Sequence, residues 1–142
     1  MSGKRQHDMN KESPASEAAA ALAAGRDVEA LRLAESAVAA RSTDALAWRV
    51  IAYAYANQGS QHLAIESAMN AVTYAPSEPI SYYTYAWVLS NACKYRIAHD
   101  AVDQALRLDP SFVDALRLRA AIRHRLVDNE RHAPEVADGN EG

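Results

Sequence analysis

Sliding the sequence by 34 residues lays one stretch of it on another: Trp48 falls on Tyr82, Ile51 on Tyr85, Ala52 on Ala86, Ala64 on Ala98, Ala71 on Ala105 and Pro76 on Pro110. Self-similarity at this period marks a helical repeat array. The same step carried outward brings Ala18 and Ala120 into register with Ala52 and Ala86, and Ala30 and Ala37 into register with Ala64 and Ala71. A small residue therefore recurs four times at one position. A pair of antiparallel helices cannot bury its apolar faces alone, so small residues at Ala52, Ala64, Ala86 and Ala98 are placed to let helix axes approach while aromatic side chains fill the gaps.

Composition agrees with a helical chain. Alanine is abundant, Phe112 is the only phenylalanine, and the 142 residues hold just five glycines and five prolines; alanine has the highest helix propensity, and the β-branched residues that favour strands are sparse. The fold class expected is all-α. A formal charge of −3 is too small for general nucleic-acid or anionic-membrane binding, which need a concentrated basic face. No run approaches the roughly 18 apolar residues of a membrane span, and the segment after Met1 lacks the apolar core of a secretory signal. A cytoplasmic location is the default expectation. Cys93 is the single cysteine, so no intrachain disulfide can form.

Taken in order, residues 1–14 are polar and aperiodic and read as a disordered tail. Helices are expected from about Ala15 to Ala24, Val28 to Ala40, Ala45 to Asn57, His62 to Tyr74, Ile80 to Ala92, Tyr95 to Leu108, and from Ser111 to near Leu126. Gly25 and Gly59, one repeat apart, suit left-handed helix ends; Asp27, and the run Ser42-Thr43-Asp44, suit N-caps. Pro79 fits a first helical turn. Cys93 occupies the position that glycine holds in the first two units. Ser111 and Asp114 have capping-box spacing. Residues 128–142 hold five acids against Arg131 and read as a second disordered tail, leaving 15–127 as the repeat domain.

The central units resemble tetratricopeptide repeats (TPR). Trp48-x-x-Ile51-Ala52-x-x-Tyr55 is followed by Ala64-x-x-x-Ala68 and Pro76, then Tyr82-x-x-Tyr85-Ala86-x-x-Leu89 by Ala98-x-x-x-Val102 and Pro110. The first unit departs from the pattern, with Pro14, Glu17, Ala21 and Ser42 at its key positions, as a degenerate terminal repeat does. The resemblance implies three helix-turn-helix repeats plus a C-terminal capping helix in a right-handed α-solenoid. It implies packing roles for Trp48, Tyr55, Tyr82, Tyr85 and Tyr95. It also implies an inner wall formed by the first helix of each unit, carrying Arg49, Tyr53 and Asn57, then Tyr83, Trp87 and Asn91, then Arg117, Ala121 and His124 or Arg125. Steps of four residues put each set on one stripe of its helix.

The eight candidate peptide-binding residues are Arg49, Tyr53, Asn57, Tyr83, Trp87, Asn91, Arg117 and His124. Flat aromatic side chains give contact area at low entropic cost, arginines pair with carboxylates, and asparagines hydrogen-bond a peptide backbone. Some members of the family hold a partner's terminal carboxylates with lysine, asparagine and arginine on successive first helices. Here Ala15, Ala19, Val50, Ile80 and Thr84 stand at inner positions, so a full clamp of that kind is not expected. The expected partner is a peptide segment with an apolar anchor, Trp87 its dominant contact, and at least one acidic group. The expected function is a non-enzymatic adaptor or co-chaperone-like scaffold. Self-assembly through the alanine-rich first helix is the alternative, and RNA binding through the basic last helix (Arg117, Arg119, Arg123, His124, Arg125) is a third. No cofactor, metal site or catalytic constellation is expected: His62/Glu66 and His99/Asp103, each four apart, are common on solvated helices and fall short of a tetrahedral ligand set.

Overall fold

The computed structural model describes residues 13–132, and among them every regular element is an α-helix. The helices are α1 (Pro14–Ala23), α2 (Asp27–Ala40), α3 (Ala45–Asn57), α4 (Gln61–Tyr74), α5 (Pro79–Asn91), α6 (Tyr95–Leu108) and α7 (Val113–Arg131). None is long and apolar enough to cross a membrane. The last helix runs past Leu126 to Arg131, so the stretch from Asp128 to Arg131 that was expected in the tail is helical; residues 1–12 and 133–142 lie outside the described residues.

The 34-residue step governs the backbone as well as the side chains. The turns inside the three units share one hydrogen-bond pattern. The N–H groups of Arg26, Ser60 and Lys94 donate to the carbonyls of Ala21, Tyr55 and Leu89, all at 2.9 Å, while Gly25, Gly59 and Cys93 donate to Leu22, Ala56 and Ser90. This is the Schellman ending, which needs a left-handed residue after the helix. Gly25 and Gly59 have φ of 80° and 82°, and Cys93 keeps the conformation at 62°. A Cβ added at either glycine would meet nothing within 4 Å. Glycine is favoured there by backbone conformation alone, which explains why a cysteine fits the third turn.

Helix starts follow the expectation unevenly. Asp44 caps α3 by accepting the Ala47 N–H at 3.1 Å, and Pro79 opens α5. Asp27 is the first residue of α2 rather than its cap, a place held by Arg26. The Ser111–Asp114 box does not form: Phe112 occupies the cap position without a side-chain bond, and Ser111 instead turns back to Asp109, its hydroxyl donating to Oδ1 at 2.9 Å.

Packing explains the architecture. Each helix touches the next, the first helices α1, α3, α5 and α7 touch in series, and the second helices α2, α4 and α6 do not touch one another. The array therefore closes on the side of the first helices and opens on the other, making the first-helix wall the inner one. Its core is small: Ala18, Ala30, Ala34, Ala52, Ala64, Ala86 and Ala98 are buried, joined toward the C-terminus by Leu89, Val102, Leu106 and Ile122. Ala120, the fourth member of the small-residue series, is exposed because α7 has no second helix of its own.

Candidate peptide-binding face

On α3 and α5 the stripes expected from four-residue spacing share the inner wall, but their members do different work. The Tyr53 ring meets Trp87 edge-on, with centroids 5.0 Å apart and planes at 62°, an arrangement that sets one ring's positive edge against the other's face. Its hydroxyl turns inward and accepts from Thr84 Oγ1 at 3.1 Å, and Thr84 is 0% exposed. Burial pushes the Tyr53 hydroxyl up to about 12, the Thr84 hydrogen bond acting against it. Tyr53 is thus a strut between two helices. Tyr83 leans on Phe112 at 5.3 Å, and burial, with the Asp114 carboxylate adding, raises its hydroxyl above the ordinary range.

The charged and amide residues divide in the same way. Arg49 is half-buried; its Nε is buried without a hydrogen-bond partner, and desolvation lowers its pKa while Glu78, Tyr53 and Asp44 oppose the shift. Such a donor is costly to leave unpaired. Asn57 Nδ2 donates to Asp27 Oδ1 at 3.4 Å, so it ties the turn of the first unit to α3. Asn91 and Arg117 are exposed, and exposed His124 faces Asp128, Nε2 to Oδ2 at 3.7 Å.

Two of the eight expected residues, Trp87 and Asn91, line a common cleft of about 440 Å³ with Tyr95, Leu118, Ala121 and Arg125. Arg49, Tyr53, Asn57, Tyr83, Arg117 and His124 do not line it. The cationic residue there is Arg125, and the sequence held a signal for it: Asn57, Asn91 and Arg125 are spaced by 34, whereas His124 falls one residue short. A larger cleft of about 500 Å³, bordered by Lys94, Arg96, Ile97, Leu126 and Glu130, contains none of the eight.

The basic last helix is partly spoken for. Arg119 Nη1 lies 3.5 Å from Asp103 Oδ1, and Arg123 Nε donates to His99 Nε2 at 3.0 Å. That leaves the His99 proton on Nδ1, 3.4 Å from Asp103 Oδ2. His62 and Glu66 stand 3.8 Å apart on an exposed face, and among the described residues no three His, Cys, Asp or Glu side chains gather as a metal site would require.

Helix pairs in 34-residue register, stacked so that the first helices form an inner wall, define a class of helical-repeat scaffold, and the fold is that of tetratricopeptide-repeat domains. The chain is similar to the TPR domain of Sgt2 from Aspergillus fumigatus, with a TM-score of 0.77 and 19% identity over 85% of this chain and 82% of that one. It is similar also to the first TPR domain of human RPAP3, at 0.78 and 18% over 84% and 94%. The first TPR of Spaghetti (RPAP3), solved bound to the HSP90 peptide SRMEEVD, matches at 0.73 and 18% over 80% and 90%. No family model and no curated protein matches the sequence.

Proposed function

We propose that this chain is a non-enzymatic interaction module that holds a peptide segment of a partner protein against its inner wall, as an adaptor or co-chaperone-like scaffold does. The observation that carries the reading is Trp87: Tyr53 braces one side of it, and another side borders the cleft shared with Asn91 and Arg125. An aromatic ring fixed by its neighbour gives contact area without the entropic cost of ordering it. A structurally similar domain solved with an acidic peptide supports the class of partner. The mode of anchoring differs here, because the inner positions Val50 and Thr84 are buried and uncharged; Arg49, Arg117 and Arg125 are the cations left to meet an acidic group.

Affinity capture with the intact chain, followed by titration of the captured partner, tests the reading. Trp87→Ala should weaken binding by about 2 kcal/mol or more, roughly thirtyfold, as loss of a central anchor does. Asn91→Ala, at an exposed position, should weaken it less and leave the melting temperature alone. Unaltered binding by both variants would place the site elsewhere. A collapse of helicity in Trp87→Ala, with Asn91→Ala unaffected in binding, would make Trp87 purely structural.

Self-association is the second reading. Val113, Leu116 and Val127 are 54%, 38% and 52% exposed on α7, along the edge where a further helix would pack. The expected place for a second copy shifts accordingly, since Ala15, Ala18 and Ala21 of α1 are already covered within the chain. Light scattering across concentrations, with Leu116→Lys as control, separates a monomeric adaptor from a scaffold. RNA binding loses support where Arg119 and Arg123 turn toward α6.

A further inference from the structure

Three inner positions at 34-residue steps form a ladder, Tyr53, Trp87 and Ala121. The first two rungs touch across α3 and α5. The third is a methyl group on an exposed residue, too small to cover Trp87 from α7, and the space it leaves is the cleft of about 440 Å³. Beside it runs a second ladder, Asn57, Asn91 and Arg125, whose last rung exchanges an amide for a cation at the same end of the wall. Arg125 is exposed and makes no ion pair among the described residues, while its neighbours Arg119 and His124 face Asp103 and Asp128.

We infer that this cleft is a side-chain pocket for one bulky apolar residue of a bound peptide with a carboxylate next to it, the apolar group taking the place of the missing third rung on Trp87 and Arg125 pairing with the acid. The inference rests on the inner-wall reading above and names the chemistry recognised there. Each wall of the cleft supports it. The rings of Trp87 and Tyr95 with Leu118 and Ala121 give the cleft an apolar side that an apolar group can cover, and Ser90, Asn91 and Arg125 give it a polar side next to it. Asn91 offers both a donor and an acceptor to a backbone amide at the rim, and the planar guanidinium of Arg125 matches a carboxylate with two parallel hydrogen bonds. A lysine next to the apolar group would meet Arg125 as a like charge, so the pocket discriminates by repulsion as well as attraction.

Blocked hexapeptides titrated into the isotope-labelled full chain test this, with the Trp87 indole N–H resonance as the readout. Acetyl-Gly-Gly-Phe-Glu-Gly-Gly-amide should shift it saturably and bind at least tenfold more tightly than the Phe-Lys and Ala-Glu versions. Ala121→Trp, which completes the ladder from within the chain, should weaken the Phe-Glu peptide at least tenfold without lowering the melting temperature. Arg125→Glu should reverse the preference toward Phe-Lys. Equal binding of Phe-Glu and Phe-Lys, unchanged binding by Ala121→Trp, or absence of any saturable shift would overturn the pocket. So would movement of the Trp87 signal with protein concentration alone, which would mean that a second copy fills it. If no hexapeptide binds while Trp87→Ala still loses the captured partner, the inner-wall reading stands and the pocket falls; if Phe-Glu binds while the captured partner ignores Trp87→Ala, the reverse holds.

Discussion

Between α1 and α2 the fully buried residues are all alanines, Ala15, Ala18 and Ala21 beside Ala30, Ala34 and Ala37, with Leu22, Leu31 and Val38 half-buried around them; between α6 and α7, Val102, Leu106 and Ile122 are buried among Ala98, Ala101, Ala105 and Ala115, with arginines along the edge. Both ends carry the same helix-turn-helix backbone. Side chains at the contact set how closely helices approach, and the two clefts described above border α5, α6 and α7. One repeat geometry thus carries two kinds of contact. Between α1 and α2 the buried side chains are all small; between α6 and α7 large ones are mixed with them.

Making the C-terminal end resemble the N-terminal one carries the largest expected effect. Ile122 is fully buried and is the largest side chain that α7 buries completely. Ile122→Ala should cost about 2–5 kcal/mol of unfolding free energy by denaturant titration. In the alanine end no single residue carries as much: Ala34→Gly should cost only about 1 kcal/mol, mainly through helix propensity. A loss below half a kcal/mol for Ile122→Ala would mean that α7 is not held by its core.

A smaller effect separates the middle of the array from both ends. Between about pH 10 and 12 the unfolded chain has given up the Tyr53 proton and the folded chain has kept it. The folded state then binds more protons, so its stability is full below pH 10, falls as pH rises through that window and levels off above 12. Two pK units correspond to roughly 2–3 kcal/mol. Tyr53→Phe should flatten this alkaline fall in melting temperature. An unchanged slope would show that the hydroxyl is not buried against Thr84.

The smallest effect concerns the three matching turns. Cys93→Gly should raise stability by about 1 kcal/mol by removing the left-handed strain of a side-chain-bearing residue, and Gly59→Ala should lower it by about as much, since no neighbour would crowd a Cβ at Gly59 and only its backbone conformation opposes one. Equal melting temperatures for Cys93→Gly and the parent would mean that Cys93 gains something from the Tyr95 hydroxyl, which donates to its Sγ at 3.5 Å.

Most of the fold was legible in the sequence because it is written twice. The 34-residue step, the glycines and Pro79 place six helices and their turns within a residue or two. Helix capping was less legible, since Ser111 and Asp114 have the right spacing but Asp109 competes for the same hydroxyl. The inner wall was legible as a stripe and not as a set of contacts. Four-residue spacing says that Tyr53 and Trp87 face one way, but whether a ring braces its neighbour or meets a ligand depends on the next helix, which periodicity does not encode. The wall on α7 was read as continuing to His124 or Arg125, with His124 among the eight candidates; both the four-residue step from Ala121 and the 34-residue step from Asn91 lead to Arg125.

Among the described residues no helix touches one more than two places away in the chain. Such a molecule behaves as a one-dimensional stack, in which each unit is held by its neighbours and loosens from the ends inward. Amide hydrogens should therefore exchange in a gradient, slowest on α3 to α5, which have neighbours on both sides, and faster on α1 and α7. Contacts so local in sequence also close small loops, so the chain should refold quickly, in the microsecond-to-millisecond range of helical proteins with low contact order. Unzipping of α7 would dismantle the cleft beside Trp87 while the alanine end stays folded, and a peptide seated there would slow exchange in α7 before any other helix.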